Sequence, residues 1–458
     1  MKNTIIRTDI KHASNINPYN YAESLAFVST LAQSAKAGRK VYENTVNKLN
    51  NCRFARQLRN HHSLRDLFIT HWPAFLEQCK AQNITLRAAI HDNVNRMMAC
   101  KDLSKGYLYY DCPNCDHMHL QGLSCHSRFC ASCGKKYRDA RTLAIAKQCL
   151  DVRHRQFVFS ISDTLRPYFR THRAAQNLLF KSVRESLDWL LYGKSKRAHK
   201  EKRQFGYVLF LHTFGRDIKF NPHIHALIAE ATLDINGKRK SYQHFHYESL
   251  RKSFMRQLLK NMKAYLKPKL SRRDMAKFHA LVHSLYKRYP NGFYTHGPRN
   301  TLYRKSSVTH ATEYIARYAG HPPISESRIM DIDDEKRTIT YYYDPHEDDH
   351  HDDKKGRQVV TEDILTFIGK LIVHIPDKHF HTIRRYGFYA NRSKHLRRNP
   401  RKLYSPQQIE KMNRLLDWRQ NMRYIYKYDP LLCSCGAFMV LNLSHSYLPQ
   451  KHQRKGAG

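Results

Sequence analysis

Residues 207–229 read YVLFLHTFGRDIKFNPHIHALIA, and this stretch decides the fold of the chain. Two apolar runs of strand-like composition flank the polar turn GRDIKFNP, which predicts two antiparallel strands. Residues two apart on a strand point to the same face, so His223 and His225 share a face and can bind one metal ion. His212, on the first strand, is placed to face this pair and to complete a three-ligand site.

The histidine motif by itself is a weak signal, because 30 histidines produce about two His-x-His triplets by chance. The chain has four such triplets, and only the one at His223 opens a run of apolar strand residues. For His212, a surface or core histidine is an equal alternative. The histidine pair therefore indicates a metal site only in combination with other features of the chain.

A second candidate element is the segment Thr309–Gly320, THATEYIARYAG, which predicts a helix that ends before two prolines. It places Tyr314 and Tyr318 four residues apart, and hence on one helical face. Aromatic packing is the ordinary explanation of such a pair in a chain with 29 tyrosines. The other elements predicted around the histidine strands are the strand Phe157–Ile161 and the helices His172–Leu191 and Tyr247–Leu266.

Five of the 11 cysteines crowd into residues 112–133, CPNCDHMHLQGLSCHSRFCASC. Two C-x-x-C pairs in this segment have the spacing of a four-thiolate structural zinc ribbon, and Cys125 or the nearby histidines could permute the ligand set. Cys433 and Cys435 form a C-x-C without a partner pair nearby, a weak signal of a second metal site. The predicted zinc ligands are Cys112, Cys115, Cys130 and Cys133.

The chain has 458 residues, with 80 Lys and Arg against 38 Asp and Glu, and its formal net charge is +42. Such a surplus indicates a polyanionic partner, with nucleic acid first and an anionic membrane surface second. No apolar run is as long as a membrane span, and the N-terminus lacks a signal-peptide stretch, so transmembrane and secreted classes are disfavoured. Clustered cysteines indicate a reducing compartment, so we expect a cytoplasmic protein.

The segment 384–402, RRYGFYANRSKHLRRNPRK, is basic and aromatic. We expect its cations to follow a DNA backbone and Tyr386 and Tyr389 to stack on bases, the alternative being a solvated charged tail. Residues 321–353, by contrast, hold eleven carboxylates against three basic residues, and we expect an exposed acidic hairpin without chemistry. The candidate DNA-binding residues are Arg384, Arg385, Arg397 and Arg398.

Together these features fit one reaction. A metal held by two histidines polarises a scissile phosphate, and a tyrosine hydroxyl attacks it in line and becomes joined to the 5′ phosphate. The 3′ hydroxyl is released. Because the phosphotyrosine is itself a diester, its bond energy is kept for rejoining and no nucleotide cofactor is needed.

The chain resembles the rolling-circle insertion-sequence transposases typified by insertion sequence ninety-one. The resemblance covers most of residues 95–440 and rests on the blocks CPNC…SCHSRFCASCG, HTFGRDIKFNPHIHALI, EYIARYAGHPPISESRIM, FIGKLIVHIPDKHFHTIRRYGFYA and DPLLCSCG. It implies that His223 and His225 bind a catalytic Mg²⁺ or Mn²⁺ and that Tyr314 and Tyr318 are the nucleophiles. The last cysteine motif of the relatives is often C-x-x-C, whereas this chain has the C-x-C motif of Cys433 and Cys435.

The resemblance further implies an α+β protein whose central antiparallel sheet, with flanking helices, is the HUH (His-hydrophobe-His) nuclease domain of rolling-circle enzymes. The implied function is DNA transposition, with single-stranded element ends and target DNA as substrates, structural Zn²⁺, and host helicase or replication machinery as partners. The implied location is the bacterial cytoplasm, in association with the nucleoid. The predicted organisation is a helical region at 1–105, a zinc-binding ribbon at 106–140, the nuclease at 150–325, and the acidic hairpin plus basic region at 326–458.

Two other functions remain open at this point. A plasmid replication initiator or a conjugative relaxase would use the same chemistry. A zinc-dependent DNA-binding regulator without enzymatic activity belongs to a different class, and it predicts that the histidine and tyrosine pairs only pack.

Overall fold

The computed structural model describes residues 63–193, 199–297, 322–345, 356–398, 402–414, 417–425 and 429–449, with Ile315, Tyr318, Gly320 and Pro400. The predicted helical segments before residue 63 lie outside these residues. No helix of the described part is both long and apolar enough to cross a membrane.

In chain order the elements are α1 (Leu64–Ala81), α2 (Ala88–Met98), β1 (Tyr107–Asp111), β2 (Met118–Gly122), α3 (Ala131–Ala146), β3 (His154–Phe159), α4 (Arg166–Thr171), α5 (Gln176–Tyr192), β4 (Gln204–Phe214), β5 (Phe220–Leu233) and β6 (Arg239–Ser241). They continue with α6 (Tyr247–Leu266), α7 (Arg272–Arg288), β7 (Thr295–His296), β8 (Ile329–Asp333), β9 (Thr338–Tyr343), β10 (Gln358–Asp363), α8 (Ile364–Ile372), β11 (Ile383–Gly387), α9 (Pro406–Arg414), α10 (Trp418–Ile425) and β12 (Val440–Tyr447).

The chain forms two compact units. One comprises the described parts of Met1–Gly134, Ile324–Ile368 and Arg414–Gly458, and the other those of Lys135–Pro323 and Gly369–Asn413. The division differs from the predicted boundaries, because residues 369–413 belong with the nuclease segment. The reason is that β11 pairs with β4 and so becomes an edge strand of the central sheet.

The second unit is built on one antiparallel sheet with the strand order β11-β4-β5-β3-β7, and β6 pairs with β5. Strands β4 and β5 form the predicted hairpin, in which His212 lies opposite His223 and Phe210 opposite His225. Helices α5 and α6 match the predicted helices with small shifts of their ends. Helices and antiparallel sheets thus make up the described residues, which confirms the α+β class.

Side chains alternate between the two faces of this sheet. One face, which includes Leu209, packs with the apolar sides of α5 and α6 into the larger hydrophobic core. The other face carries Phe210 and Leu227 in a second buried cluster. His212 is two residues after Phe210 and His225 two before Leu227, so the histidines continue this second face.

The first unit contains two three-stranded antiparallel sheets, with the orders β12-β1-β2 and β10-β9-β8. Strands β9 and β10 pair and flank residues 346–355, so the two strands of the acidic hairpin are confirmed, and its tip lies outside the described residues. Helix α1 begins at the N-cap Ser63 and buries Phe68 and Trp72. The partly buried Phe129 meets Phe68 edge-on at 5.4 Å, and burial of an aromatic side chain such as Phe68 contributes roughly 2–3 kcal/mol.

Candidate functional site

The three predicted metal ligands of the histidine site meet on one face of the β4–β5 hairpin. A potential ligand atom of each of His212, His223 and His225 lies within 4.8 Å of the others. The Nε2 atoms of His223 and His225 are 3.0 Å apart, and the ring centroids of His212 and His225 are 4.8 Å apart. The pairing register decides this arrangement, since it sets His212 directly across from His223.

The histidine rings have the protonation state that a metal ion requires. Burial lowers the pKa of His223, and the charge of Arg166 adds to this effect. Burial, followed by the neighbouring His223 and His212, lowers the pKa of His225 well below its ordinary value. Both rings are therefore neutral at pH 7, which is the form that binds metals.

The hydrogen bonding of the site also fits a metal ion. His223 Nδ1–H donates to the backbone carbonyl of Asn221 at 2.7 Å, which orients the lone pair of Nε2 toward His225. Two nitrogens that bind one ion at roughly 2.1 Å and at right angles lie about 3 Å apart. The three rings therefore fit a divalent cation as its ligands.

Tyr318 lies against this site. Its ring stacks on the His225 ring at a centroid distance of 3.8 Å and an interplanar angle of 25°. His212 Nε2–H donates to the backbone carbonyl of Tyr318 at 3.1 Å. The structure thus brings one predicted nucleophile against two of the predicted ligands, although it follows His212 by 106 residues in the sequence. Tyr314, the other predicted nucleophile, lies outside the described residues.

Arg166 is a cation beside the histidines that sequence reasoning missed. It opens α4, is half-buried, and lies close enough to His223 to lower its pKa. Its Nε is buried and has no hydrogen-bond partner among the described residues. A guanidinium held in this way is ready to donate to an anionic phosphate. No sequence signal distinguished it from the other 79 basic residues.

The cysteines form two groups, which corrects the predicted single ribbon. The first group contains Cys100, Cys125, Cys130 and Cys133, and its four sulfur atoms lie within 4.8 Å of one another. The pair Cys112 and Cys115 is not part of this group. It forms the second group with Cys433 and Cys435, whose sulfur atoms also lie within 4.8 Å of one another and of the pair.

The physical reason for the correction is that a C-x-x-C turn supplies only two corners of a tetrahedron, and any second pair can supply the others. In the first group the Sγ atoms of Cys100 and Cys133 are 3.7 Å apart. This is near the ~3.8 Å edge of a tetrahedron with Zn–S bonds of about 2.3 Å. Cys100 was missed because it stands alone after α2, whereas Cys125 was named among the alternatives.

The predicted DNA-binding arginines serve different roles. Arg397 is 6% exposed, and its guanidinium donates to the Phe388 carbonyl at 2.8 Å. Arg385 donates to the Ala144 carbonyl, and Arg384 lies over the Phe180 ring at 4.0 Å. Arg398 is exposed. Structural contacts therefore occupy three of the four. For Arg384 and Arg385 the reason is that β11 belongs to the central sheet and not to a free tail.

The predicted base-stacking tyrosines are also built into the unit. Tyr389 is 1% exposed, and its hydroxyl contacts Leu150 N and His154 Nε2. Tyr386 stacks on Tyr207 with an interplanar angle of 11°. Tyr389 therefore presents no ring face to a base, and the face of Tyr386 toward Tyr207 is covered.

Comparison with known proteins accounts for both parts of this arrangement. Residues 206–397 match a family model described as "Putative transposase", and residues 67–161 match one described as "Transposase zinc-binding domain". The first contains the histidine site and Tyr318, and the second contains six of the eight clustered cysteines. The two matches together support a transposase of the insertion sequence ninety-one family.

Two curated relatives agree with this assignment. The transposase is 29% identical over 340 residues to the "Transposase for insertion sequence element IS801" of Pseudomonas savastanoi pv. phaseolicola, covering 72% of this chain and 76% of the relative. It is 22% identical over 336 residues to the "Putative transposase y4qJ" of Sinorhizobium fredii, covering 69% and 78%. No solved structure matches the transposase. Its family therefore makes it a DNA-acting enzyme, and its zinc-binding domain and cysteine groups support structural Zn²⁺.

Proposed function

We propose that the transposase cleaves and rejoins single DNA strands at the ends of its element through a 5′-phosphotyrosine intermediate. The observation that carries the proposal is the Tyr318 ring stacked at 3.8 Å on His225, within a cluster of three histidines. Packing alone does not require three imidazoles at this point, since a buried aliphatic side chain would fill the same space without polar atoms. A DNA-binding regulator would have no use for this constellation.

In the proposed step, the hydroxyl oxygen of Tyr318 attacks the scissile phosphorus in line. The tyrosine O–P bond forms, the P–O3′ bond breaks, and the tyrosine proton is transferred through solvent to the leaving 3′ oxygen. His212, His223 and His225 would hold a divalent Mg²⁺ or Mn²⁺, and that ion would supply Lewis-acid polarisation of the phosphate. Arg166 donates to a non-bridging phosphate oxygen and stabilises the charge that develops there.

Tyr314 is the second nucleophile in this proposal. It lies four residues before Tyr318 in the sequence, a spacing that puts two side chains on one face wherever the chain is helical. With one tyrosine joined to DNA, the other can attack a second end without release of the first. Strand transfer to target DNA then follows as the reverse of the cleavage step, with the free 3′ hydroxyl as attacking group. This is rolling-circle transposition, and it draws on host helicase or replication machinery to expose single strands.

The test uses the full chain with single-stranded oligonucleotides that tile both ends of its element, in the presence of Mg²⁺ or Mn²⁺. A denaturing gel detects protein–DNA adducts, and peptide mapping locates the modified residue. We expect the adduct on a peptide that contains Tyr314 or Tyr318. We expect Tyr318→Phe to reduce the adduct strongly and the double variant Tyr314→Phe/Tyr318→Phe to abolish it.

The matched control is Tyr386→Phe, which removes a hydroxyl from a half-buried, stacked tyrosine of the same unit and should leave adduct formation unchanged. An adduct that persists in the double variant would move the nucleophile elsewhere in the chain. DNA binding without any adduct, under every metal tested, would favour a regulator instead.

A further inference from the structure

Half of the second cysteine group lies far outside the zinc-binding family match. That match ends at residue 161, whereas Cys433 and Cys435 lie more than 270 residues later. Their partners Cys112 and Cys115 lie inside it. The family match therefore accounts for a zinc-binding segment. It does not account for a site whose other two ligands, Cys433 and Cys435, lie near the C-terminus.

The geometry of this group is that of a tetrathiolate site. Cys112 Sγ lies 3.4 Å from Cys435 Sγ, and Cys115 Sγ lies 3.4 Å from Cys433 Sγ. Both distances exceed a disulfide bond of about 2.05 Å and approach the ~3.8 Å edge of a zinc tetrahedron. The four sulfurs are within 4.8 Å of one another, so all four can face one ion.

Both turns that carry these thiols are ordered by the backbone. Cys112 follows β1 directly, its N–H donates to the His117 carbonyl at 2.9 Å, and its sulfur accepts the Asn114 N–H at 3.4 Å. In the other turn, Cys433 N–H donates to Ala437 O, and Gly436 N–H donates to Cys433 O. Gly436 has φ +90°, a conformation that glycine adopts at low cost.

The two turns belong to neighbouring strands of one sheet. Strand β12, which follows the second turn, pairs antiparallel with β1, which precedes the first. Hydrophobic burial gives this pairing only modest support, because the cluster beside it has three buried residues. These are Cys112, Cys433 and Met439, and the partly buried Tyr110, Leu431 and Ala437 pack against them. Leu443 on β12 is 63% exposed. A sheet with so small a core needs a further link to hold its strands.

We propose that Cys112, Cys115, Cys433 and Cys435 bind a second structural zinc ion, which holds the C-terminal strand β12 against β1. The four thiolates close the coordination sphere, so this ion takes no part in DNA cleavage. The link is distinct from the group of Cys100, Cys125, Cys130 and Cys133, and it joins segments that are 318 to 323 residues apart. The inference does not depend on the proposed phosphotyrosine chemistry.

The test measures zinc in the purified full-length chain by plasma mass spectrometry. We expect two zinc ions per chain in the wild type and one in Cys435→Ser. Cys435 is exposed, so its replacement does not open a cavity in a core. Cys435→His should recover the second ion, because imidazole is also a zinc ligand. Cys79→Ser, which changes a buried cysteine of α1 outside either group, should retain both.

A second measurement follows the strand itself. In Cys435→Ser the backbone amides of β12 should exchange with solvent at least tenfold faster, while those of β4 and β5 remain unchanged. Two zinc ions in Cys435→Ser, or unchanged exchange in β12, would overturn the proposal. One zinc in the wild type that is lost in Cys100→Ser but kept in Cys435→Ser would do the same.

Discussion

The histidine site and the cysteine groups bring potential ligands equally close together, yet they differ in what they leave for a substrate. Each cysteine group offers four thiolates, which complete a tetrahedron around zinc. The histidine group offers three imidazole nitrogens next to a tyrosine and an arginine. A site that stabilises a fold therefore differs from one that can act on a phosphate in the number of its ligands and in the residues beside them. The distance between the ligands does not distinguish the two.

The largest expected effect comes from removing a histidine ligand. His225→Ala should reduce cleavage of single-stranded ends on the order of a thousandfold, because polarisation of the phosphate is worth several kcal/mol. Zinc content should not change, since both cysteine groups remain. The double variant His379→Ala/His381→Ala, which alters an exposed His-x-His motif, serves as the control in the same gel assay. Full cleavage by His225→Ala would show that the histidine site, like the cysteine groups, takes no part in cleavage.

Removing a thiolate should affect stability first. Cys130→Ser leaves three thiolates in the group with Cys100, and we expect loss of one zinc and several kcal/mol of stability in the first unit. Thermal unfolding with and without added zinc measures the change. Cys149→Ser, a buried cysteine in neither group, should keep its full zinc content. A Cys130→Ser chain that retains all of its zinc would contradict the grouping.

Acid should destabilise the unit that carries the histidine site. Burial lowers the pKa of His154 to about 4 and that of His374 to about 4. Because the folded protein keeps these two histidines neutral, the unfolded chain binds more protons below pH 6.5. The free energy of unfolding is therefore at its full value above pH 6.5 and decreases as the pH falls toward 4. At pH 4.5 each group should cost about 2–3 kcal/mol of unfolding free energy. Urea unfolding at pH 7 and 4.5 measures this, and His154→Gln should show a smaller acid loss than the wild type.

Arg166 tests whether the histidine site is open to a phosphate. Arg166→Gln should lower the cleavage rate by roughly 10–100-fold, because one charge-assisted hydrogen bond to the phosphate is lost. Arg166→Lys should recover part of the rate. Arg170→Gln, an exposed change in the same helix, is the matched control. Equal rates for Arg166→Gln and the wild type would limit the site to its histidines and tyrosine.

The smallest effect is expected at the surface. Neutralising the exposed cations Arg392, Lys394 and Arg398 should weaken DNA binding modestly and reduce the salt slope by about 0.7–0.9 per lost phosphate contact. Neutralising Arg273, Lys277 and Lys287, three exposed cations of α7, controls for net charge. Identical salt slopes in the two triple variants would show that the segment 384–402 has no special role on DNA.

Sequence patterns predicted the parts of the molecule that depend on local geometry. The hairpin of β4 and β5 and the convergence of His212, His223 and His225 followed from strand periodicity and a polar turn. The roles of Arg385 and Arg397 could not be predicted in the same way. Both were assigned to DNA from charge, but β11 joins the sheet and their guanidinium groups bind backbone carbonyls.

The sequence alone indicated most of the metal-binding residues, although not Cys100, and the strand or helix face that they share, because covalent geometry sets the two-residue and four-residue periods. Only the tertiary structure decided which pairs combine. A C-x-x-C turn supplies two ligands, and its completion by Cys433 and Cys435 or by another pair depends on strand pairing across more than 300 residues. The same holds for Tyr318, whose place on His225 results from packing of the second sheet face.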